Sequence, residues 1–339
     1  MGSCLWGSKA GSSSGFSSGY RVLSLGCTVN CSAFSPDGQT LLTASEDGYL
    51  YGWETKSGQL LWRLGGHTGP VKFCCFSPDG YLFASSSSDR TIRLWELSRA
   101  ECLWVLKGLY PVSPPPTSVI GMVTAGHQRS VETLSFSPDS RQLASGGWDK
   151  QVMLWEVQSG HKLRHLEGHH DSIQSSDFSP NANCLATGSW DSTVRIWDLR
   201  VGTPAVFHQE LEGHSGNISC LCYSSSGLLN IHIWKPNTSS LMVQLKGHVA
   251  WVNSIAFSPD EGQLASASYS GTIKVWDYNT GKCLETLKVR PVAAAPSEGS
   301  RKDFRTWSLV LCFWQGFLDV AHTCAFTRQG KLLVSGAAI

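Results

Sequence analysis

The sequence predicts an all-β fold built from one repeated unit, and three observations support this prediction. Tryptophans recur at an interval of 42 residues in three pairs: Trp53 and Trp95, Trp155 and Trp197, and Trp234 and Trp276. Four Gly-His dipeptides each precede one of these tryptophans by 28 residues, counted from His to Trp. Short segments of alternating polarity, separated by turn residues, fill each interval. A fixed period of about 40 residues indicates supersecondary units that stack on one another.

Repeat 3 shows the strand pattern of a complete unit. Residues 131–136, 142–146 and 152–155 alternate in polarity, which is typical of β-strands that are buried on one face. The turn Ser137-Pro138-Asp139 separates the first two segments, and Trp148-Asp149-Lys150 separates the next two. A fourth strand follows, so each unit is expected to form one four-stranded sheet whose repeat boundary is offset by one strand.

The recurring phrases G-H, F-S-P-D-G, L-A-S-G-S-x-D and W-D resemble those of the WD-repeat β-propellers. The resemblance implies an all-β propeller, with seven blades expected and with blades 1, 5 and 7 incomplete. We expect a flexible Gly/Ser leader at 1–19 and one propeller domain at 20–339. The repeats are placed at about 22–64, 65–108, 126–166, 167–211, 212–245, 246–288 and 316–339.

Within a complete repeat, the resemblance implies a buried tetrad of His, Ser or Thr, Asp and Trp linked by hydrogen bonds. The three sets that match are His67, Ser85, Asp89 and Trp95; His127, Ser145, Asp149 and Trp155; and His169, Thr187, Asp191 and Trp197. The indole would donate to the hydroxyl, the hydroxyl to the imidazole, and the imidazole to the carboxylate. Because the set recurs in three blades, we interpret it as structural and not as a hydrolase triad.

Several repeats depart from this frame. Repeat 1 has Leu25-Gly26-Cys27 where Gly-His is expected, and repeat 5 has only 20 residues between His214 and Trp234. Repeat 6 has Ser270 in place of Asp, and repeat 7 ends before any Trp. Two segments, 109–126 and 289–315, are interpreted as inserted loops. A strand at 20–25 is expected to complete the last blade.

Function is expected on the face that carries the Gly-His and S-x-D turns, because propellers of this family usually bind peptides or loops there. The residues predicted to contact a partner are Trp148, Trp190, Trp251, Tyr269, Glu132, Gln174, Asn253 and Lys72. Clustered exposed aromatic residues are typical of binding hot spots. The alternative is that these rings pack on neighbouring blades.

Two further functions remain open beside a non-catalytic interaction scaffold. Trp197, Asp198 and Arg200 resemble the W-D-x-R box by which some propellers attach to the adaptor of cullin-RING ubiquitin ligases. An aromatic cluster could also hold a cationic side chain by cation–π attraction, which suggests a histone-peptide reader. Because no isolated polar cluster breaks the repeat, no enzymatic activity is expected.

Composition narrows the classes of partner. Lys and Arg number 27 against 26 Asp and Glu, so the formal net charge of +1 provides no general attraction for nucleic acid or anionic membranes. The 12 cysteines include no C-x-x-C pair, and neither a metal nor a cofactor is expected. The N-terminal residues lack the features of a secretory signal, which favours a cytoplasmic or nuclear location. The expected partners are other proteins.

Overall fold

A computed structural model shows strands and turns throughout the part of the chain that it describes. The described residues are 2–6, 21–25, 27–107, 126–200, 207–211, 217–222, 232–235, 240–245, 247–248, 252–258, 263–268, 270, 272–277, 280–288, 308–314, 320–326 and 332–338. Within them no helix is long and apolar enough to span a bilayer. The five stretches with a complete strand pattern each form a four-stranded antiparallel sheet.

The first two of these sheets come from repeats 1 and 2. Sheet 1 contains β3 (Val29–Phe34), β4 (Thr40–Ser45), β5 (Leu50–Glu54) and β6 (Leu60–Leu64). Sheet 2 contains β7 (Val71–Phe76), β8 (Leu82–Ser87), β9 (Ile92–Glu96) and β10 (Glu101–Leu106). Each strand pairs with the next along the chain, which short turns between antiparallel strands allow.

The next sheets come from repeats 3, 4 and 6. Sheet 3 contains β11 (Val131–Phe136), β12 (Gln142–Gly147), β13 (Val152–Glu156) and β14 (Lys162–Leu166). Sheet 4 contains β15 (Ile173–Phe178), β16 (Cys184–Ser189), β17 (Val194–Asp198) and β18 (Phe207–Leu211). Sheet 6 contains β21 (Val252–Phe257), β22 (Gln263–Ser268), β23 (Thr272–Asp277) and β24 (Lys282–Lys288).

The core lies between neighbouring sheets. In all five sheets the second strand is buried along its whole length after the first residue. Small residues on that strand allow the next sheet to approach closely. At Gly146, for example, an added Cβ would lie 2.6 Å from the Cγ2 atom of Ile173 in sheet 4. Hydrophobic clusters therefore form between successive sheets, for example with Leu42 of sheet 1 and Phe83 of sheet 2, and with Leu154 of sheet 3 and Leu185 of sheet 4.

Repeat 5 is described in part. Among its described residues, β19 (His232–Lys235) and β20 (Ser240–Gln244) form an antiparallel pair. Residues 217–222 run beside sheet 4, where the Ser175 hydroxyl donates to the Leu221 carbonyl and accepts from the Leu221 amide. Ile218 contributes to the apolar cluster of sheet 4. Residues 217–222 therefore lie beside β15, the first strand of sheet 4, where a complete repeat 5 would have its own first strand.

The remaining strands form one five-stranded sheet from both ends of the chain. They are β1 (Gly2–Trp6), β2 (Arg21–Leu25), β25 (Ser308–Trp314), β26 (Val320–Phe326) and β27 (Leu332–Ala338), in the spatial order β2-β1-β25-β27-β26. Strand β26 contacts both β3 of sheet 1 and β21 of sheet 6.

This sheet differs from the sequence expectation in three places. Residues 2–6 form a strand although they lie in the segment expected to be a flexible leader. Residues 308–314 form a strand although they belong to the second expected loop, and β25 pairs with β27 in parallel. Strand β2 joins the sheet through β1 and does not pair with β26 or β27. The physical reason is that an unpaired strand edge offers backbone donors and acceptors to any extended segment within reach.

Candidate protein-binding face

The tetrad of repeat 3 shows how the S-x-D turn is held to the sheet. The Trp155 indole Nε1 donates to the Ser145 hydroxyl at 2.9 Å, and His127 Nε2 lies 2.7 Å from that hydroxyl. His127 Nδ1 lies 2.8 Å from the Asp149 carboxylate. The corresponding three distances are 2.9, 2.8 and 2.9 Å in repeat 2 and 2.8, 2.7 and 2.8 Å in repeat 4. The structure therefore brings together all twelve residues of the three sets.

The charge state of the tetrads follows from burial and hydrogen bonding. Burial acts to raise the pKa of Asp149, but hydrogen bonding to His127 and to backbone amides outweighs it, so the pKa is lowered. Burial lowers the pKa of His169 in repeat 4. At neutral pH the carboxylate is therefore ionised, and a neutral imidazole can donate from Nδ1 and accept at Nε2.

These serines and threonines are unsuited to nucleophilic catalysis. The side chain of Ser145 is completely buried, and its oxygen already contacts both the indole and the imidazole. The side chain of His127 is 1% exposed. A substrate would therefore have to unpack the sheet to reach the hydroxyl oxygen of this set.

Repeat 6 keeps most of its network although it lacks the Asp. His248 Nε2 lies 2.6 Å from the Ser266 hydroxyl, and the Trp276 indole donates to that hydroxyl at 2.8 Å. On the other side of the ring, the Thr272 hydroxyl lies 3.3 Å from His248 Nδ1 and 2.8 Å from the Ser270 hydroxyl. Burial, and to a smaller extent Lys274, lowers the pKa of His248 to about 4. The contact between this Thr and the imidazole also occurs in repeats 2 and 4, where Thr91 and Thr193 lie 3.2 and 3.5 Å from the Nδ1 atom, so Ser270 substitutes for the Asp only as the hydrogen-bond partner of the Thr.

Repeat 1 replaces the imidazole by different means. The Cys27 thiol donates to Asp47 at 3.2 Å, and the Tyr51 hydroxyl donates to the same carboxylate at 2.7 Å. The Trp53 indole still donates to Thr43 at 3.0 Å. Sequence reasoning missed Tyr51, because it lies on a strand and outside the repeat motif. A tyrosine four residues after the turn Asp was the available signal.

Four of the residues predicted to contact a partner lie at β-bulges. In each four-stranded sheet, the pairing register between the first and second strands shifts at the second residue of the first strand. In repeat 3, for example, the shift falls between Val131 and Thr133. The residues at these shifts are Asn30, Lys72, Glu132, Gln174 and Asn253. A bulge leaves its extra residue outside the ladder and redirects the side chain. Lys72, Glu132, Gln174 and Asn253, which were selected because they share one position of the repeat, therefore also share a bulge, and the bulge is what the sequence alone did not reveal.

Several of these side chains contact their neighbours on the face. Lys72 forms an ion pair with Glu46 of repeat 1 at 3.5 Å, and Asn30 donates to the same carboxylate at 2.7 Å. In repeat 3 the Ser130 hydroxyl donates to Glu132 at 2.5 Å. In repeat 4 the Gln174 amide donates to the Ser172 hydroxyl at 2.7 Å. Trp251, Tyr269 and the side chain of Asn253 lie outside the described residues.

Trp148 and Trp190 meet on this face. Their ring centroids are 5.1 Å apart and their planes are inclined at 68°, an edge-to-face contact between the S-x-D turns of repeats 3 and 4. Backbone bonds hold both turns: the amides of Trp148 and Trp190 donate to the carbonyls of Ser130 and Ser172 at 3.0 and 2.9 Å. Trp148 is 41% exposed although it packs on Trp190. The alternative of packing between blades therefore holds for one side of the Trp148 ring, and the rest of the ring is exposed to solvent.

A family model decides the identity of the repeats. The model for the WD domain, G-beta repeat, matches residues 19–54, 58–96, 119–156, 160–198 and 239–277, which together exceed half of the chain. These matches correspond to the five four-stranded sheets. The chain belongs to the WD-repeat family. The prediction of an all-β WD-repeat propeller is confirmed.

Individual WD-repeat proteins are also similar to this chain. WD repeat-containing protein 38 from Homo sapiens is 67% identical over 70% of the chain and 72% of its own length. The Mus musculus protein of the same name is 61% identical over 70% of the chain and 75% of its own length. Small ribosomal subunit protein RACK1y from Oryza sativa subsp. japonica is 41% identical over 52% of the chain. WD-repeat proteins generally act as protein-interaction scaffolds and are typically non-catalytic.

Of Trp197, Asp198 and Arg200, which match the W-D-x-R box in repeat 4, Arg200 is the exposed residue. Trp197 is completely buried as a tetrad member, and Asp198 is 9% exposed. The Arg200 side chain is 65% exposed, and its Nε donates to both Asp198 carboxylate oxygens at 3.0 Å. That ion pair raises the pKa of Arg200. A partner at this position would meet the Arg200 guanidinium already engaged with Asp198.

Proposed function

We propose that this WD-repeat protein is a non-catalytic scaffold that binds a peptide or loop of another protein on the face carrying the Gly-His and S-x-D turns. The observation that carries the proposal is the exposed ring of Trp148, held edge to face by Trp190 on rigid turns. A rigid aromatic side chain contributes a large contact area at little cost in conformational entropy.

The double variant Trp148→Ala with Trp190→Ala tests this proposal. Proximity labelling in cells would compare the labelled proteins of the variant with those of the wild type. Tyr81→Ala is the matched control, because Tyr81 is 74% exposed and follows the S-P-D-G turn at the opposite end of the sheet. We expect specific partners to be lost in the double variant and retained in the control. An unchanged partner set, with thermal unfolding close to that of the wild type, would exclude this face.

We also propose that seven sheets form the ring. Five are complete, β19 and β20 with residues 217–222 supply the fifth blade, and the sheet of both termini supplies the seventh. The contacts of β26 with β3 and β21 support this arrangement, because they connect the last sheet with both of its expected neighbours. A single cooperative unfolding transition by calorimetry is the expected result. Two separate transitions would contradict a closed ring.

A further inference from the structure

A shallow depression of about 420 Å³ lies beside the exposed ring of Trp148. Its lining residues come from the Gly-His loop and the S-x-D turn of repeat 3: Gln128, Arg129, Trp148, Asp149, Lys150 and Gln151. Both segments are held by the Asp149 carboxylate, which accepts from the backbone amides of Gln128 and Gln151. One buried carboxylate thus ties together the two segments that line the depression.

Two cationic side chains line this depression together with Trp148. The side chains of Arg129 and Lys150 are both exposed. Lys150 Nζ donates to the His170 carbonyl at 2.7 Å, and an ammonium group carries three donors, so two N–H groups remain for a ligand. This contact also fixes the position of the charge. The Lys150 backbone has a φ of 67°, which the tight S-x-D turn imposes.

The nearby carboxylates do not neutralise these cations at the surface. The side chain of Asp149 is 4% exposed and its oxygens contact His127 and backbone amides. Glu132 is half-buried and accepts a hydrogen bond from Ser130. Asp171 is exposed and follows His170, whose carbonyl Lys150 contacts, but Asp171 is not among the lining residues, and one of its carboxylate oxygens accepts from the Ser172 amide at 2.7 Å. The lining of the depression thus combines an aromatic ring with two exposed positive charges and one buried carboxylate.

Among repeats 2 to 4, repeat 3 alone has an Arg, a Trp and a Lys at these three positions. At the positions of Arg129, Trp148 and Lys150, repeat 2 has Gly69, Ser88 and Arg90, and repeat 4 has Asp171, Trp190 and Ser192. Between repeats 1 and 2, Lys72 is paired with Glu46. The charge pattern is thus a local feature of repeat 3, in a chain whose formal net charge is only +1.

We infer that the depression beside Trp148 binds an acidic segment of a partner protein, with an apolar residue of that segment packed on the Trp148 ring and its carboxylates facing Arg129 and Lys150. This inference deepens the proposed function and rests on it. Charge complementarity carries it, because like charges oppose a cationic ligand such as a methylated lysine at the same place. A nucleic acid would need a wider positive surface than two side chains provide.

Fluorescence polarisation with labelled peptide pools tests the inference. Each pool has a central Leu or Phe, and its flanking positions are drawn from Asp and Glu, from Asn and Gln, or from Lys and Arg. We expect the acidic pool to bind about tenfold more tightly than the neutral pool at low ionic strength, with the difference shrinking as salt is added. A labelled thymidine oligonucleotide is expected to bind more weakly than the acidic pool.

Three variants separate the charge from the ring. Arg129→Gln with Lys150→Gln should abolish the preference for the acidic pool and leave the neutral pool unaffected. Trp148→Ala should weaken both pools. Arg90→Gln is the matched control, because Arg90 has the equivalent turn position and a similar φ of 70°, but no adjacent tryptophan. It should retain the acidic preference.

The possible outcomes distinguish this inference from the proposed function. Equal binding of the acidic and neutral pools, abolished by Trp148→Ala, would overturn the acidic specificity and leave the face as a binding site. Preference for the basic pool or for the oligonucleotide would also overturn it. If the acidic pool does not bind at all, the inference is wrong, and the proximity-labelling experiment still decides whether the face binds a partner.

Discussion

At the residue scale, a WD tetrad is a hydrogen-bond network that tolerates replacement of a member if the buried polar atoms still find partners. In repeat 6 the Ser270 hydroxyl replaces the carboxylate as the hydrogen-bond partner of Thr272, and repeat 1 satisfies Asp47 with Cys27 and Tyr51. Unpaired buried polar groups are costly, so such substitutions require compensation nearby. In repeat 1, Tyr51 lies four residues after Asp47, whereas Cys27 occupies the position of the tetrad His, 20 residues before Asp47.

Ser270→Asp should restore the tetrad of repeat 6. A carboxylate at this position is expected to accept from His248 Nδ1, as in repeats 2 to 4, and to add about 1 to 2 kcal/mol to the free energy of unfolding. Urea unfolding at neutral pH measures the change. Ser270→Asn serves as the control, because it has a similar shape without the charge. A loss of stability in the Asp variant would show that the turn of repeat 6 cannot hold a carboxylate.

His248 of repeat 6 predicts that the free energy of unfolding depends on pH. Burial lowers the pKa of His248 to about 4, whereas an unfolded histidine titrates near about 6.5. Between these pH values the unfolded chain therefore binds more protons than the folded chain. The contribution of His248 to stability is complete above about pH 6.5 and is lost as the pH falls toward 4. We expect the free energy of urea unfolding to fall less over this pH range in Ser270→Asp than in the wild type, because the new carboxylate should raise the pKa of His248. Identical losses in both proteins would contradict this explanation.

At the element scale, small residues and bulges position the face. Gly147 ends β12 directly before Trp148, and an added Cβ there would lie 2.1 Å from the Ser130 carbonyl oxygen. That carbonyl accepts from the Trp148 amide. In repeat 4 the equivalent residue is Ser189, whose hydroxyl donates to the Asp171 carbonyl. The loop of repeat 3 therefore approaches its strand more closely than the loop of repeat 4.

Gly147→Ala should destabilise the protein by about 1 to 3 kcal/mol, because the new methyl group must displace backbone. Ser189→Ala is the matched variant, since a Cβ already exists there and only the two hydrogen bonds of the hydroxyl, to the Asp171 carbonyl and from the Asp191 amide, are removed, at a cost of about 1 to 2 kcal/mol. Urea unfolding compares the two free energies. If Gly147→Ala were the milder substitution, the close approach at Ser130 would be refuted.

At the scale of the whole molecule, the sheet that combines both ends of the chain connects the last repeat with the first. Strand β25 lies between β1 and β27, so backbone hydrogen bonds are expected on both of its edges. A strand from the second insert thereby becomes part of the fold.

Leu311→Pro tests this arrangement, because proline removes a backbone donor from a strand with neighbours on both sides. We expect a loss of roughly 3 kcal/mol, seen as a fall of roughly 5 °C in Tm by calorimetry. Leu311→Ala retains the amide and should have a smaller effect. A Tm equal to that of the wild type in the proline variant would mean that residues 308–314 do not belong to the folded sheet.

The sequence by itself determined the repeat, the strands of its complete units and the members of three tetrads, because these depend on residue types at fixed spacing. It also selected Trp148 and Trp190 by their turn position. Tertiary structure decided what spacing cannot encode: that the Trp148 and Trp190 rings touch, that four of the predicted contact residues lie at bulges, and that Tyr51 completes the altered network of repeat 1. It also placed segments 2–6 and 308–314 in a sheet, since strand pairing between distant segments depends on which edges remain free once the other sheets have formed.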